Sequence, residues 1–467
     1  MIKKMDKKLD KRAFTLIELL VVIAVLAILV LLATPRFLGH TKTAELRRIQ
    51  NDVKVMEQEI GTVLINNNDE FNKWRYNGKN SNPLMEGNKL FEKEGPIAEG
   101  VKPTGGPYKI IPEKYKDEIN TKLKGTFYAN SDGKVYYEEV VDLIEDHDFI
   151  PIATAEEFNS IRKNEKRTYG EGTKWENEYI GGLDKQYIQV ADIDLSEYSV
   201  EGWNPIGTDE ESPFKGTYDG GNYVITNLDI KGASNDYQGL FGYADGATIF
   251  NVGLIDNTVT GGQYVGGLVG YASRSTISNS YTTGSVTGTG SYVGGLVGSA
   301  SRGTKISNSY STASVTGAGG LGGLVGEADG TIENSYAAGS VEGTGNLIGG
   351  LVGYASSSVI SNSYATGSVT GYDYVGGLVG YAWRPKISNS YATGLVTGYD
   401  YVGGLVGWVY VGTTVNSYWD RQTTSQRSSD GGVGKTTDDM KKQTTYENWD
   451  FDTVWKIDEG NDYPTLR

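Results

Sequence analysis

Residues that could carry out chemistry are few in this chain of 467 residues. It contains no cysteine, so thiol chemistry, disulfides and Cys-ligated zinc have no residues to support them. Its two histidines, His40 and His147, do not lie in the His-Glu-x-x-His pattern of a zinc peptidase. The run Glu145-Asp146-His147-Asp148 has side chains that could hold a divalent cation, although a solvated acidic linker explains it better. We therefore expect no metal site, no cofactor and no catalytic residue.

One glycine-rich segment invites comparison with a phosphate-binding loop. Gly431-Gly432-Val433-Gly434-Lys435-Thr436 ends in the required Gly-Lys-Thr, but the first glycine of that motif would fall at Ser429. The strand, loop and helix that should surround such a loop are not indicated either. Nucleotide binding is therefore not expected.

An acid near the start of a long apolar run is the most informative chemical feature. The run from Phe14 to Ala33, as a helix rising about 1.5 Å per residue, would span roughly 30 Å, the hydrocarbon thickness of a bilayer. An acid inside such a helix costs roughly 3 kcal/mol near the bilayer centre and less toward its end, so Glu18 requires a cationic partner. The lysines and arginine before the run would hold the N-terminus in the cytoplasm, leaving everything after Pro35 outside.

This N-terminus resembles that of type IV prepilins and pseudopilins, which carry a basic leader, a cut before Phe, and Glu as the fifth residue after the cut. The resemblance implies that a prepilin peptidase cleaves between Ala13 and Phe14 and methylates the Phe14 amine. It also implies that Glu18 pairs with the Phe14 amine of a neighbouring subunit, and that Pro35 kinks the helix. Ala13 departs from the usual Gly of the family. A simple membrane anchor with an incidental Glu18 is the alternative.

The overall charge restricts the partners that the protein can bind. Lys and Arg number 43 and Asp and Glu 58, which gives a formal net charge of −15. Binding to nucleic acid requires Lys and Arg to displace counterions, so no nucleic acid partner is expected. Without disulfides, the extracellular part must be stabilised by packing.

The apolar pattern predicts that the helix continues beyond the membrane. Apolar residues recur at spacings of 3, 4, 3, 4 and 3, namely Leu46, Ile49, Val53, Met56, Ile60 and Val63. They would pack the stalk helix on its own head, with a coiled-coil dimer as the alternative. From Asn66 the chain is rich in loops, and Thr126 to Tyr137 reads as a hairpin about Asp132-Gly133. This part resembles a small pseudopilin head.

The remainder of the chain is built from repeats. A Gly-Leu-x-Gly core recurs at intervals of 28, 28, 28, 27, 27 and 27 residues, starting at Gly239, Gly267, Gly295, Gly323, Gly350, Gly377 and Gly404. Short runs alternate with period two and end in Gly, Ser or Thr, which indicates strands and corners. A propeller blade needs about 40 residues, so the period favours a β-solenoid. Roughly nine coils rising about 4.8 Å each would make a rod on the order of 40 Å long.

Several columns of like residues should stack between coils. Paired glycines such as Gly294-Gly295 are expected to take corner conformations that a Cβ would forbid. An internal amide ladder is expected from Asn279, Asn308, Asn334, Asn362, Asn389 and Asn416. A ring stack is expected beside it from Tyr281, Tyr310, Tyr336, Tyr364, Tyr391 and Tyr418.

The pattern Gly-Gly-Leu-Val-Gly-Tyr-Ala followed by Ile-Ser-Asn-Ser-Tyr-Ala-Thr-Gly resembles the GLUG repeat of bacterial surface adhesins and of some IgA-cleaving metallopeptidases. The resemblance covers about Ile150 to the end, with leading coils before the repeats and a C-terminal cap after them. Because the zinc motif is missing, we do not expect peptidase activity. Asp192 and Asp194 could belong to a polysaccharide-cleaving groove, but no second acidic cluster or basic catalytic residue accompanies them.

The last two corners differ from the earlier ones in a way that suits binding. They read Tyr372-Asp373-Tyr374 and Tyr399-Asp400-Tyr401, with Trp383 and Trp408 nearby, whereas an earlier corner reads Ala318-Gly319-Gly320. Aromatic planes beside a carboxylate suit sugar rings or a protein surface. These eight residues are the candidate ligand site, and simple covering of the solenoid end is the alternative.

The sequence thus predicts a mainly β protein with a long N-terminal helix, in which a pilin-like stalk helix and small α+β head precede a parallel β-solenoid of ~27-residue repeats. The expected function is non-enzymatic: a minor or tip pilin-like subunit that attaches to a glycan, matrix or host surface. The alternatives are a structural pseudopilin for secretion or DNA uptake and a polysaccharide-acting solenoid. The expected segments are a leader at 1–13, stalk helix at 14–65 with its membrane part at 14–33, head and linker at 66–149, first solenoid coils at 150–238, GLUG repeats at 239–419 and C-terminal cap at 420–467.

Overall fold

The computed structural model describes residues 149–152, 154–162, 181–189 and 191–467, and the backbone of four short strands upstream. The expected leader, membrane helix and stalk helix, including Ala13, Phe14, Glu18 and Pro35, lie outside the described residues. So does the acidic run around His147. The chain divides into two compact units, residues 1–147 and 148–467.

The four described strands of the first unit form one antiparallel sheet in the order β1-β2-β3-β4. Their bounds are Phe91–Lys93 (β1), Tyr108–Ile110 (β2), Phe127–Ala129 (β3) and Val135–Tyr137 (β4). In β3 and β4, Phe127 lies opposite Tyr137 and Ala129 opposite Val135. The expected turn at Asp132-Gly133 lies outside the described residues.

The second unit is a parallel β-solenoid of about eight turns, slightly fewer than the sequence estimate. One sheet has fifteen strands. They are β5 (Phe149–Ile152), β6 (Gln186–Gln189), β8 (Thr217–Asp219), β11 (Phe241–Asp245), β12 (Thr248–Phe250), β15 (Val269–Ser273), β16 (Thr276–Ser278), β18 (Val297–Ser307), β21 (Val325–Glu333), β25 (Val352–Ser356), β26 (Val359–Ser361), β30 (Val379–Trp383), β31 (Lys386–Ser388), β35 (Val406–Tyr410) and β36 (Thr413–Val415).

The other sheet has nineteen strands. They are β7 (Ile193–Asp194), β9 (Val224–Thr226), β10 (Asp229–Lys231), β13 (Gly253–Gly261), β14 (Val265–Gly266), β17 (Tyr281–Gly294), β19 (Tyr310–Ser311), β20 (Ser314–Gly322), β22 (Tyr336–Ala337), β23 (Val341–Gly343), β24 (Ile348–Gly349), β27 (Tyr364–Ala365), β28 (Val369–Thr370), β29 (Asp373–Gly376), β32 (Tyr391–Ala392), β33 (Val396–Thr397), β34 (Asp400–Gly403), β37 (Tyr418–Asp420) and β38 (Val433–Lys435).

The sequence period sets the register between coils. Val269 lies opposite Val297, and Val297 opposite Val325, so each step is one 28-residue repeat. The later coils step by 27 residues, as in Val352 opposite Val379. The repeated Leu, Ile and Val side chains therefore stack into fully buried columns that form one continuous core. Each such side chain contributes roughly 1.5–3 kcal/mol by leaving water.

The N-terminal end of this core is closed by a short helix, α1 (Ala155–Ser160). Thr154 caps it through a capping box with Glu157, which satisfies the first free backbone N–H groups. Phe158 is fully buried and its ring stacks on Trp203, with centroids 5.3 Å apart. The helix thus covers apolar surface that a further coil would otherwise have to bury.

The C-terminal end is closed by residues 420–467, which include helix α2 (Thr437–Met440) and the antiparallel pair β39 (Trp455–Lys456) and β40 (Thr465–Leu466). Gly404 donates its N–H to the carbonyl of Ser428 at 3.0 Å. The Asp430 N–H donates to the carbonyl of Val406 at 3.1 Å. Pairing part of the last edge in this way reduces the surface open to strand addition.

The expected tyrosine stack is present for five of its six members. Adjacent rings from Tyr281 to Tyr391 are 4.7–5.0 Å apart and within 6° of parallel. The prediction was wrong for Tyr418, which instead meets the Tyr446 ring edge-on at 5.4 Å. The reason is the C-terminal cap, whose Trp449 and Trp455 also pack against the ring of Tyr391.

The asparagine ladder is confirmed in part, and it is not internal. Amide-to-amide hydrogen bonds of 3.2–3.3 Å join the four members from Asn308 to Asn389, and one more joins Asn279 to Asn251 of the preceding coil, which had not been included. Most of these side chains are half-buried or exposed. Each asparagine has a positive φ of 46–57°, and Asn tolerates this left-handed conformation better than most residues. The residue type is therefore selected by the corner backbone.

The internal ladder is made by serines. In the central coil, Ser363 Oγ accepts the Ser335 N–H at 3.3 Å and donates to the Ser361 carbonyl at 2.8 Å. Equivalent bonds recur through the repeats, and the side chains are 0–1% exposed. The members are Ser280, Ser309, Ser335, Ser363, Ser390 and Ser417.

The expectation for the paired glycines was half right. Gly294 and Gly295 do not have positive φ angles, so a special backbone conformation does not explain why glycine occupies these positions. A Cβ on Gly295 would lie 2.1 Å from Ser311 Oγ and 2.3 Å from the Gly323 carbonyl oxygen. Close approach of the next coil therefore excludes a side chain there.

Removing one rung of the serine ladder should destabilise the solenoid. Ser363→Ala would leave the buried Ser335 N–H without its acceptor, and we expect a loss of about 1–3 kcal/mol in the free energy of unfolding, measured by urea denaturation. Ser358→Ala is the matched control, because Ser358 is equally buried but its Oγ has no hydrogen-bond partner. Equal midpoints for the two variants would contradict the role assigned to the ladder.

Candidate functional site

Two columns of residues, most of them partly exposed, form an aromatic stripe along the solenoid. The first column occupies a corner where every residue has a φ of 51–66°, and consists of Tyr237, Tyr264, Tyr292, Gly320, Leu347, Tyr374 and Tyr401. The second lies on the strands of the fifteen-stranded sheet and consists of Tyr243, Tyr271, Ser299, Glu327, Tyr354, Tyr381 and Trp408. The rings of the two columns contact each other, as Tyr264 and Tyr271 do at 5.2 Å.

Of the four tyrosines of the candidate ligand site, Tyr374 and Tyr401 end the first column, and Tyr372 and Tyr399 lie two residues before them in the sequence. The rings of Tyr372 and Tyr399 stack at 5.2 Å with 3° between their planes. Those of Tyr374 and Tyr401 stack at 4.7 Å with 7° between their planes. Tyr399 is the most exposed at 78%. The adjacent coils therefore present two parallel ring pairs to solvent.

The two carboxylates of the site differ in their surroundings. Asp373 and Asp400 are direct partners across strands β29 and β34. Asp400 is exposed, and its Oδ1 accepts the Tyr401 N–H at 2.9 Å. Asp373 is half-buried, and its Oδ1 is buried without a hydrogen-bond partner. Opposed carboxylates repel, so this corner adds negative potential beside the tyrosine rings.

The two tryptophans of the predicted site are not equivalent. Trp408 is 37% exposed and packs edge-on against Tyr401, with ring centroids 4.9 Å apart. Trp383 lies on β30 and is covered instead by the guanidinium of Arg384, whose Cζ is 4.7 Å from the ring centroid. The structure therefore joins Trp408 to the tyrosines and separates Trp383 from them.

The two aspartates and the glycine-rich segment considered in the sequence analysis make structural hydrogen bonds or strand pairs. Asp194 accepts hydrogen bonds from the Asn227 amide and the Ser196 N–H, and these bonds lower its pKa. Asp192 accepts the Val224 N–H at 2.9 Å. Val433 to Lys435, in the glycine-rich segment, form strand β38 beside β37. The two aspartates and the glycine-rich segment therefore contribute to the structure of the solenoid.

Metal and membrane features can be judged only for the described part of the chain. There, no group of three or more His, Asp or Glu side chains is placed to hold a metal ion. Among the same residues, no helix has the length and apolar character needed to cross a bilayer. The apolar run at 14–33 lies outside them.

The N-terminal half of the stripe was missed by sequence reasoning. Tyr237, Tyr264 and Tyr292 stack at 5.3 and 5.5 Å, although they had not been grouped with the later corners. Their signal was a tyrosine two residues before each Gly-Gly-Leu or Gly-Leu core, as in Tyr292-Val293-Gly294. Its outward direction depends on the positive φ, which the spacing alone does not reveal.

Burial raises the pKa of several tyrosines. It raises the pKa of Tyr243 to about 12, with neighbouring Tyr271 and Glu210 adding to the effect. It also raises the pKa of Tyr463 to about 12, where Asp420 contributes through a hydrogen bond of 2.7 Å and through its charge. Tyr391, inside the cap, is shifted in the same direction by burial.

Comparison with known proteins identifies two known sequence motifs in the chain. Residues 8–34 match the prokaryotic N-terminal methylation motif. Five segments match the GLUG motif, at residues 261–287, 289–316, 317–342, 344–370 and 371–397. The chain is thus a β-solenoid protein built on GLUG repeats that also carries a prepilin-type methylation motif. That motif indicates an N-terminally membrane-anchored or secreted surface protein.

Individual relatives share only segments with this chain. Halomucin of Haloquadratum walsbyi is 39% identical over 88 residues, which are 18% of this chain and 1% of that protein. A protein of Evansella cellulosilytica provisionally named a Gly-rich membrane protein is 36% identical over 148 residues, 31% of this chain and 11% of its own length. The matched segments are therefore small parts of these two larger proteins.

Two solved structures resemble the chain distantly. One, a candidate immunoglobulin A1 protease of Bacteroides ovatus, has a TM-score of 0.44 and 23% identity, covering 68% of this chain and 91% of that one. Another, an IgA1 protease, has a TM-score of 0.40 and 17% identity, covering 68% of this chain and 25% of that one.

Alkaline unfolding should follow the buried tyrosines. Because the folded state raises their pKa above the ordinary value of 10.0, the stability they contribute is complete below pH 10 and is lost as the pH rises toward about 12 and beyond. We expect phenolate absorbance and loss of the β circular dichroism signal to rise together in that window. Complete tyrosine ionisation with the β signal intact would contradict this expectation.

Proposed function

We propose that this protein is a non-enzymatic, pilin-like surface subunit that uses its solenoid to attach to a glycan, matrix or cell surface. The observation that carries the proposal is the combination of a prepilin-type methylation motif with an exposed aromatic strip on the repeats. We call these four residues the strip, as distinct from the longer aromatic stripe: Tyr372, Tyr374, Tyr399 and Tyr401. The large solenoid carried by each subunit favours a minor or tip subunit over the main filament protein.

The N-terminal part of the proposal concerns assembly. A prepilin peptidase would cleave after Ala13 and methylate the Phe14 amine while the apolar run lies in the membrane. In the filament, Glu18 of one subunit would pair with the Phe14 amine of the next, where packed helices exclude water. An unpaired carboxylate in that setting is costly, so the pair would select the correct stagger between subunits.

The attachment part rests on the character of the strip. Its ring pairs are held parallel by the coil spacing, and Tyr372, Tyr399 and Tyr401 are 51%, 78% and 40% exposed. Such rings offer apolar faces with little loss of side-chain entropy on binding. The nearby Asp400 carboxylate can accept hydrogen bonds from sugar hydroxyls or from donors on a protein.

Replacing Glu18 by Ala should separate membrane insertion from assembly. The apolar span survives this change, so the variant should stay in the membrane and, like the parent, be processed to start at Phe14. Its amount in sheared surface filaments should fall at least several-fold because the cationic partner is lost, and immunoblotting of both fractions measures this. Unchanged amounts in the sheared fraction would refute the assembly role, and a parent chain starting at Met1 would refute the pilin-like assignment.

Replacing the four strip tyrosines by Ser should abolish most attachment without unfolding the solenoid. These rings lie on the surface of the corner, whereas stability resides in the buried columns. Adhesion of cells producing the quadruple variant to glycan and matrix-protein arrays measures the effect, with circular dichroism as the check of folding.

The matched control is Tyr271→Ser, which removes a half-buried tyrosine of the aromatic stripe that is not one of the four strip tyrosines. We expect it to attach like the parent. Normal attachment by the folded quadruple variant would show that the strip is only surface covering. It would favour a purely structural pseudopilin role, while release of products from polysaccharide would favour an enzyme.

A further inference from the structure

The aromatic stripe is interrupted at its centre. In place of rings, the first column has Gly320 followed by Leu347, and the second column has Ser299 and Glu327. We call this place the Glu327 notch and define it by Tyr292, Ser299, Gly320, Glu327 and Tyr354. It lies between the N-terminal and C-terminal ring blocks and does not include the strip used for the attachment proposal.

One aromatic face is left open at the notch. The Tyr292 ring stacks on Tyr264 at 5.5 Å on its N-terminal side. On the other side lies Gly320, where an added Cβ would be 2.9 Å from Tyr292 Cδ1. Gly320 has a φ of 65°, nearly that of Tyr292 itself at 66°, so the backbone at this corner accepts tyrosine. Gly320 therefore adds no ring to this face of Tyr292, and a side chain at this position would have to displace the Tyr292 ring, which lies close to it.

A carboxylate without a counter-charge lies in the second column. Glu327 faces outward between Ser299 and Tyr354, its partners on the adjacent coils. Its Oε2 accepts a hydrogen bond of 2.9 Å from the hydroxyl of Ser299, which is fully buried. Glu327 itself is half-buried, and none of the ion pairs among the described residues includes it.

The Glu327 carboxylate is close enough to the rings of Tyr264 and Tyr292 to affect their pKa. Burial raises the pKa of Glu327, and Ser299 opposes the shift only in part. Burial is also the main cause that raises the pKa of Tyr292 and Tyr264, and the Glu327 carboxylate is the next in each case. A negative charge held near aromatic rings and away from bulk water favours any cation that can reach it.

We propose that the Glu327 notch binds the ammonium or guanidinium group of a lysine or arginine side chain on another protein. The Glu327 carboxylate would form the ion pair, and the open face of Tyr292 would supply the cation–π contact. A planar guanidinium suits this arrangement because it can donate to the carboxylate while stacking on a ring. The net charge of −15 also favours a basic partner.

A cation explains the notch better than a neutral sugar does. Sugar hydroxyls could bond to Glu327, but they would leave its half-buried negative charge uncompensated. A glutamine would offer hydrogen bonds to a sugar without that cost. The proposal goes beyond surface attachment through the strip and does not depend on it.

The experiment titrates the full detergent-solubilised chain with Nα-acetyl-arginine amide, observed by ligand NMR, and with the uncharged isostere Nα-acetyl-citrulline amide. The arginine probe should bind roughly tenfold more tightly than the citrulline probe. Glu327→Gln should remove this preference. Glu342→Gln is the matched control, because Glu342 is an exposed acid on the same solenoid and its loss changes the net charge equally.

Two further measurements test the geometry. Gly320→Tyr, which continues the ring column, should weaken binding of the arginine probe while Glu327 is retained, and circular dichroism checks that the variant is folded. Binding should also weaken as the pH falls through the raised pKa of Glu327, since only the ionised carboxylate pairs with a cation.

Equal binding of the two probes by the parent would overturn the proposal. So would arginine binding that survives in Glu327→Gln, or that falls equally in Glu342→Gln. If the folded Gly320→Tyr variant binds as the parent does, the open ring face has no part in recognition and the proposed site is wrong.

Discussion

Pairing between successive coils is the interaction on which the rest of the structure depends. A single coil has strands of two to fourteen residues that find their pairing partners on neighbouring coils, and it cannot cover its own Leu, Ile and Val side chains. Parallel pairing with the coils above and below satisfies the backbone groups and buries those side chains at the same time. Val297 lies directly opposite Val325, and Val352 directly opposite Val379, so residues one repeat apart are paired across neighbouring coils. A slip of one residue would turn each apolar column outward.

The same register turns the sequence repeat into surface columns. A residue that recurs once per repeat meets its copies at the coil spacing, so asparagines, serines and tyrosines form separate ladders. Each ladder obeys its local environment: Asn in the left-handed corner, Ser where a backbone N–H is buried, and Tyr where rings can stack. A departure from the repeat, such as Gly320 or Glu327, therefore becomes a local feature on an otherwise regular surface. Binding sites on such a protein are expected at departures of this kind.

A stack of coils also needs two ends, and the repeats cannot supply them. At the N-terminal end, Phe158 and Trp203 belong to an aromatic cluster that fills the core beneath helix α1. At the C-terminal end, Trp449 and Trp455 pack together with centroids 4.3 Å apart against the tyrosine stack. Both ends use large rings because one ring covers more apolar area than an aliphatic side chain. The cap also ended the tyrosine stack one coil earlier than expected.

The sequence by itself determined the prepilin-type motif, the repeat length, the solenoid class and the columns of buried Leu, Ile and Val, because each of these is a matter of composition or spacing along the chain. It also identified the strip corners, since Tyr372 and Tyr399 recur one repeat apart. Only the tertiary structure decided which side of a corner faces solvent, because that depends on φ and on the neighbouring coil. It therefore showed that the asparagine ladder lies at the surface and the serine ladder inside, that Trp408 joins the tyrosines whereas Trp383 does not, and that Glu327 lies unpaired between two blocks of rings.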